Sequence, residues 1–213
     1  MNSITIDSSQ CRSELCVICA ESGTDKSPYT AHGHRHPYTA PYSLLFEPIR
    51  KKARKFAEIG VFRGASVLSW RRFFPLSTRI YGFDNDAANV QNIAGYQWPN
   101  VIADMMDASQ TSSIQEALMR HTQDGELFDV ILDDASHNPD DQVKVIRTGL
   151  QFLKQGGLLI VEDIFRERSI EPYERILNEV KEFVSFHTFI VCDHQNRFSP
   201  GWNNDKLLVL VRA

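Results

Sequence analysis

The stretch Phe128-Asp129-Val130-Ile131-Leu132-Asp133-Asp134-Ala135-Ser136-His137 runs an apolar segment straight into two adjacent carboxylates, a hydroxyl and an imidazole. Leu158-Leu159-Ile160-Val161 runs in the same way into Glu162-Asp163. If both segments are neighbouring parallel strands, they deliver four carboxylates to one edge of a sheet, the edge where open α/β sheets bind ligands. Carboxylates so close together repel unless protonated or neutralised, so a divalent cation such as Mg²⁺ is the natural occupant. His137, three residues past Asp134, then stands where a general base belongs: its neutral imidazole can take a proton from a hydroxyl whose oxygen the metal polarises. A turn or a helix cap accounts for any one of these acidic residues alone, but not for both strand ends.

A second constellation lies upstream, in Glu58-Ile59-Gly60-Val61-Phe62-Arg63-Gly64-Ala65-Ser66, where an apolar strand gives way to a helix. Gly60 and Gly64 allow backbone to approach a ligand, and the helix N-terminus offers unpaired N–H groups to a carboxylate. About twenty residues past Gly64, Tyr81-Gly82-Phe83-Asp84 ends the next strand with the carboxylate that holds ribose hydroxyls in nucleotide-type sites. Phe62 occupies the place of the second glycine in the dinucleotide fingerprint, so a pyrophosphate fits poorly, whereas the amino-acid end of S-adenosylmethionine needs no such approach. Asp104, closing the third strand, is either an acceptor for the adenine amino group or a helix N-cap.

These residues need a sheet with alternating strands and helices to bring them together. Apolar runs at Lys55 to Gly60, Arg79 to Phe83, Val101 to Ala103, Phe128 to Leu132 and Leu158 to Val161 read as strands. Helices are expected at Ser43 to Arg54, Ala65 to Phe74, Ala87 to Ile93, Ser112 to Thr122, Asp140 to Leu153 and Tyr173 to Val184. Strands apolar on both faces, separated by helices, predict a doubly wound α/β fold with a mostly parallel sheet and right-handed crossovers. Phe186 to Cys192 and Lys206 to Val211, joined by a polar Gly/Pro segment, form an antiparallel C-terminal hairpin that completes seven strands. Residues 1–41, rich in Ser, Thr, His, Pro and Gly, read as an irregular N-terminal arm with room for one short helix, and 42–213 as the catalytic domain.

At 213 residues and 42% hydrophobic content the chain has one domain's worth of core. A net charge of -4 with dispersed basic residues gives no footprint for nucleic acid or an anionic membrane, and the run Arg50, Lys51, Lys52, Arg54, Lys55 reads as a solvated helix face. With no bilayer-length apolar stretch and no signal-peptide core, the chain is expected in the cytoplasm with Cys11, Cys16, Cys19 and Cys192 as thiols. Cys16 and Cys19 form a CxxC followed by His32, His34 and His36, but the second ligand pair lacks a zinc-site spacing, so reduced thiols are the preferred reading and zinc is left open.

The same motifs resemble the class I, S-adenosylmethionine-dependent and metal-dependent sugar and macrolide O-methyltransferases, typified by the macrocin and mycinamicin enzymes. The resemblance rests on Gly23-Thr24-Asp25-Lys26 with His36, Tyr38 and Tyr42; Glu58-Ile59-Gly60-Val61 through Gly64 and Ser66; Gly82-Phe83-Asp84; Asp104 and Asp107; Asp133 to His137; and Gly156-Gly157-Leu158 leading into Glu162-Asp163. It implies a Rossmann-like methyltransferase fold in which Asp134, Glu162 and Asp163 hold Mg²⁺ and His137 is the base. It also implies that Glu58, Gly60, Val61, Gly64, Ser66, Asp84 and Asp133 line the cofactor site, and that the arm from Asp25-Lys26 to Tyr42 covers it. Ala135 stands where that family usually has glycine, which alanine tolerates if its φ stays negative.

The expected activity is therefore O-methylation of a small polar molecule, a sugar or glycosylated natural product, by a chain whose oligomeric state, homo-oligomer included, is open. Three rivals remain. A catechol-type phenol is a different acceptor, for which Trp202, Phe198 and Phe165 would supply an aromatic wall. A metal-dependent hydrolase leaves Gly60, Gly64 and Asp84 without a role. A non-catalytic binding protein leaves His137 idle. Tyr29 and Tyr38 are further candidates for shaping the pocket, with plain packing the commoner role for such residues.

Overall fold

The computed structural model describes residues 3–31 and 33–213. The elements follow in the order β1 (Ser3–Asp7), α1 (Glu14–Ser22), α2 (Thr39–Phe46), β2 (Lys55–Ile59), α3 (Ala65–Phe73), β3 (Arg79–Asp84), α4 (Ala87–Gly95) and β4 (Val101–Met105). They continue with α5 (Thr111–Arg120), β5 (Phe128–Asp133), α6 (Pro139–Gly149), β6 (Leu153–Val161), α7 (Glu171–Glu179), β7 (Val184–Asp193) and β8 (Lys206–Arg212). One sheet in the order β1-β7-β8-β6-β5-β2-β3-β4 holds them together. Only β8 runs against the rest, paired antiparallel to both β6 and β7.

Both faces of this sheet are buried, which is why its strands read as nearly unbroken apolar runs. Along β5 and β6 the side chains alternate between two cores: Ile131, Leu159 and Val161 pack with Ile114, Ile146 and Tyr173 from α5, α6 and α7. Val130, Leu132, Leu158 and Ile160 face the other way, toward Leu15, Phe46, Trp70 and Ile93 from α1, α2, α3 and α4. The chain winds from β2 out to β4, then returns to β5 on the opposite side of β2, so β2 and β5 are adjacent and parallel, with Ile59 beside Asp133. Their carboxyl ends diverge into connections on opposite faces, the topological switch point at which a crevice opens.

The seven expected strands are all present, and the arm adds an eighth. β1 pairs in parallel with β7, Ile4 beside Ile190. Its five residues alternate two isoleucines with polar groups, a pattern sufficient for an edge strand, which buries little, but too short to stand out in a Ser-rich segment. The arm is also more ordered than expected, since α1 is capped by the Ser13 hydroxyl and ended by Gly23 in the left-handed conformation. The helix expected at Ser43 to Arg54 is instead α2, which starts earlier, carries Pro41 in its first turn and stops before Pro48. The basic run consequently lies in the turns after α2 and the start of β2 rather than on a helix face. Lys55 at its end is fully buried, donating from Nζ to Asp124 Oδ1 (2.6 Å) and to the His121 and Glu126 carbonyls.

The crossing at the switch point depends on Gly60. Its φ is +87°, and a Cβ there would lie 2.2 Å from the Asp134 carbonyl oxygen and 2.6 Å from Ala135 Cα. Gly156 has a similar φ of +76° but open space around it. Gly60→Ala is expected to cost about 2–5 kcal/mol of unfolding free energy, from the clash plus the left-handed strain, and Gly156→Ala only about 1 kcal/mol. Urea unfolding of the two variants checks this; equal losses would show that the backbone crossing is not tight.

Candidate active site

Four strand ends converge on the crevice. β2 contributes Glu58, β3 ends in Asp84, β5 in Asp133 followed by Asp134, and β6 leads into Glu162 and Asp163. Backbone bonds tie these ends into one rim: Asp134 N–H donates to Ile59 O (2.8 Å), Gly60 N–H to Phe83 O (2.8 Å) and Glu162 N–H to Asp133 O (2.9 Å). Three residues on the rim that are not glycine have positive φ: Phe62 at 45°, His137 at 55° and Asp163 at 58°. Such left-handed conformations cost roughly 1–3 kcal/mol each and persist where surrounding bonds over-determine them, which is common at ligand sites. Ala135 is not among them, so the alanine is accommodated without strain.

The carboxylates are organised around a cation from the arm. Lys26, fully buried, places Nζ 2.7 Å from Glu162 Oε2 and 3.4 Å from Glu58 Oε1, and donates to Asp134 Oδ2. Burial alone would depress its pKa, but Asp134, Glu162 and Glu58 outweigh it and hold the ammonium well above its ordinary value. Tyr42 donates its hydroxyl to Glu162 Oε1, and Tyr38 donates to Asp163 Oδ1 at 2.6 Å. Burial and the neighbouring Asp134 charge push both Glu162 and Asp163 upward. Asp134 moves the other way: its burial is overcome by Lys26 and His137, so it stays ionised below the usual carboxylate range.

His137 closes the cluster. Its Nε2 lies 3.2 Å from Asp134 Oδ1 and 3.1 Å from Asp163 Oδ2. Burial would lower its pKa, but the bond to Asp134 and the charges of Asp163 and Asp134 push it up to about 9. Ligand atoms of Asp134, His137 and Asp163 all lie within 4.8 Å of one another, a grouping that suits a metal ion. Two hard oxygen donors whose mutual repulsion needs positive charge fit a divalent cation. Glu162 stands apart from that grouping, because Lys26 and Tyr42 already engage both of its oxygens.

The crevice beside this cluster is a cleft of about 920 Å³, within the range of small-molecule sites. It is lined by Gly60, Val61, Phe62, Ser66, Asp84, Asp107, Ser109, Asp134 and His137 among others. Asp84 braces the glycine loop: Oδ2 accepts from Val61 N–H (3.2 Å) and Phe62 N–H (2.8 Å), while Oδ1 accepts from Asp86 N–H (2.9 Å). Gly64 has a φ of +83°, and a Cβ there would lie 2.9 Å from Ile93 Cγ1, so both backbone conformation and helix packing favour glycine at this position. Glu58 is sealed behind Lys26, accepting from Ser66 Oγ (2.7 Å) and Trp70 Nε1 (3.0 Å), and burial raises it to about 7. Asp133 is likewise raised by burial to about 7, with Oδ1 accepting from Ala135 N–H and Oδ2 buried without a partner among the described residues.

Asp104 is neither an adenine acceptor in this cleft nor a helix cap. It lies within β4 and its Oδ2 is held by Arg120 Nη2 (3.0 Å) and His121 Nε2 (2.9 Å), outside the cleft lining, where Met106, Asp107 and Ser109 stand instead. The CxxC thiols sit on the buried side of α1, Cys16 Sγ within 3.0 Å of Thr39 Oγ1, and all four cysteines are free. His36 bonds Asp205 (2.7 Å) and His34 bonds Ser199, so neither joins the thiols; His32 lies outside the described residues. Lys26 and Tyr42 are the site residues that periodicity and spacing missed, and Tyr38 was singled out only as an aromatic. The signal for Lys26 and Tyr42 was their place in the family motifs, since nothing local tells a buried lysine from a solvated one.

Residues 57–164, half of the chain, match the family model described as a methyltransferase domain. The chain belongs to the methyltransferase-domain family. Curated relatives include an 8-demethyl-8-alpha-L-rhamnosyl tetracenomycin-C 2'-O-methyltransferase of Streptomyces olivaceus, 30% identical over 61% of this chain and 33% of the relative. A 3'-O-methyltransferase acting on the 2-methoxy rhamnosyl compound in the same organism is 25% identical over 71% of this chain and 37% of its own length. This methyltransferase-family chain thus spans about a third of the curated relatives it matches. Among solved structures, MycE methyltransferase from the mycinamycin pathway, in complex with Mg and SAH, superposes with TM-score 0.69 at 17% identity, covering 95% of this chain and 55% of MycE. TomG of Streptomyces achromogenes, solved with SAM, gives 0.60 at 17% over 95% and 91%. These likenesses establish the fold, with no helix among the described residues long and apolar enough to cross a membrane.

Removing one partner of a buried ion network strands the others. Lys26→Met is expected to lower the unfolding free energy by about 3–5 kcal/mol. Arg79→Met, which breaks exposed pairs with Asp124 and Glu126, is expected to cost under about 1 kcal/mol. Urea midpoints of the two variants distinguish a structural ammonium from a decorative one.

Proposed function

We propose that this chain transfers a methyl group from S-adenosylmethionine to a hydroxyl of a small polar acceptor, a sugar or glycosylated natural product, with the help of a divalent cation. The observation that carries the proposal is the placement of Asp134, His137 and Asp163 together at the wall of a cleft whose other wall is the Gly60 loop braced by Asp84. The two curated relatives, named for O-methylation of rhamnosyl groups, support the acceptor class.

Gly60, Val61, Ser66 and Asp84 would hold S-adenosylmethionine, whose sulfonium supplies an electrophilic methyl. Asp134 and Asp163 would hold the cation, which polarises a hydroxyl and neutralises the two charges that keep His137 protonated. Glu162 and Lys26 support that pair from behind. Lys26 keeps Asp134 ionised, and Glu162 fixes Lys26 and Tyr42. His137 Nε2, aimed between the two carboxylates, takes the acceptor's proton as its oxygen attacks. Positioning of the two reactants within one cleft supplies much of the acceleration. Residues 1–41 act as a cover that delivers Lys26 and Tyr38 to a domain spanning 42–213, which begins with Tyr42, and a cytoplasmic setting suits a donor made inside cells.

Calorimetric titration with S-adenosylmethionine, with and without Mg²⁺, is expected to give micromolar binding, weakened at least about tenfold in Asp84→Ala. In a glycoside acceptor assay, His137→Ala is expected to lower kcat by about 10²–10⁴ with donor affinity unchanged, and chelation of divalent ions to abolish turnover until Mg²⁺ is restored. No donor binding in any condition would sink the proposal and favour metal-dependent hydrolysis.

A further inference from the structure

Beside His137, the connection between β7 and β8 presents an aromatic platform. The Trp202 ring stands perpendicular to the His137 imidazole with centroids 6.2 Å apart. It stacks on Phe165, which follows the β6 carboxylates, at 5.6 Å and 29°. Arg168 lies over the Phe165 ring at 3.7 Å. Trp202 nevertheless remains 47% exposed, and among the described residues nothing accepts from its indole N–H. It borders a second hollow, of about 450 Å³, whose wall from Arg197 to Asn203 mixes another aromatic ring, Phe198, with polar side chains.

A half-exposed indole stacked on a second ring and set beside an imidazole offers a flat, rigid apolar face next to a proton-accepting group. The platform is open on one face and its rim is polar. A flat phenol is best held in an enclosed apolar slot, whereas an open platform with polar groups around it suits a ring that has one C–H face and hydroxyls at its edge. Arg197 anchors the platform's loop to the arm side of the site, with Nη1 2.6 Å from Asp205 Oδ2, whose Oδ1 meets His36 at 2.7 Å. Backbone bonds between Arg35 and Phe198 (2.7 and 3.1 Å) add to that anchorage.

We infer that Trp202, backed by Phe165, is the positioning residue for the acceptor: the pyranose ring of a glycoside lays its C–H face on the indole while one hydroxyl reaches His137. The indole N–H donates to a neighbouring hydroxyl. This inference rests on the methyltransferase reading of the site. Trp202 touches His137 but takes no part in the proton transfer, so its loss weakens acceptor binding and leaves donor binding alone.

The test uses the full chain with S-adenosylmethionine and Mg²⁺, and methyl α-L-rhamnopyranoside, methyl β-D-glucopyranoside and catechol as probes. At least one pyranoside is expected to change the intrinsic tryptophan fluorescence saturably. That response disappears in Trp202→Phe, which leaves only Trp70 and Trp98 to emit. Trp202→Ala is expected to raise the pyranoside KM at least about tenfold, with kcat changed under about threefold, while Trp202→Phe, which keeps an aromatic face but loses the N–H donor, raises KM by a smaller factor of about three. Donor binding measured separately keeps the two readings apart. If S-adenosylmethionine binds but no pyranoside gives a response, the inference is overturned while the methyltransferase reading stands. The same follows if the response survives in Trp202→Phe, if Trp202→Ala lowers kcat rather than raising KM, or if only catechol responds.

Discussion

Four buried or nearly buried carboxylates on one rim, Glu58, Asp134, Glu162 and Asp163, can coexist only if some hold protons or cations stand among them, and the Lys26 ammonium from the arm meets three of the four. That single group ties together elements more than a hundred residues apart in sequence. It requires the arm to be folded against the sheet, so the capped helix α1, the Tyr38 and Tyr42 hydroxyls and the bonds from His36 and Tyr38 back to Asp25 and Lys26 all serve the same closure. Once Lys26 and Tyr42 occupy Glu162, the open side of the cluster is the one formed by Asp134, Asp163 and His137.

The backbone around that cluster is held in conformations it would not adopt alone. Gly60 passes against the Asp134 carbonyl so closely that no side chain fits, which locks the β2 and β5 connections together at the switch point. Phe62, His137 and Asp163 are held left-handed on the same rim. Phe62 is fixed through its N–H to Asp84, and His137 and Asp163 through each other and Tyr38. The strain is concentrated where a donor molecule and an acceptor would have to meet, and the uniform two-sided packing of the sheet absorbs it.

The cleft and the hollow beside it have different origins. The part of the cleft beside Asp84 is built from β2, β3 and β4 within the region that matches the methyltransferase-domain model. The hollow beside Trp202 is built from the β7 to β8 connection, and the ring behind Trp202 comes from residues after β6, beyond residue 164. In the proposed function, donor recognition and acceptor recognition would thus lie on separable stretches of chain, and the aligned region covers about a third of each curated relative.

The succession of strands and helices along the chain, the antiparallel last strand and the carboxylates at the ends of β5 and β6 were legible from local pattern: apolar runs of strand length, helices between them, a polar Gly/Pro turn before the last run, and acidic residues where the runs stop. Asp84 and the Gly60 loop were legible for the same reason. Asp104 was not, because its place at a strand end says nothing about which way Arg120 and His121 pull its side chain. Lys55, Lys26 and the edge strand β1 were also hidden, since a lysine's burial and a short strand's pairing are decided by partners distant in sequence. Local pattern determined which elements form and what chemistry they end in. Only the tertiary structure decided which charges meet, because the energy of a buried charge depends on neighbours that the chain brings together from opposite ends of its length.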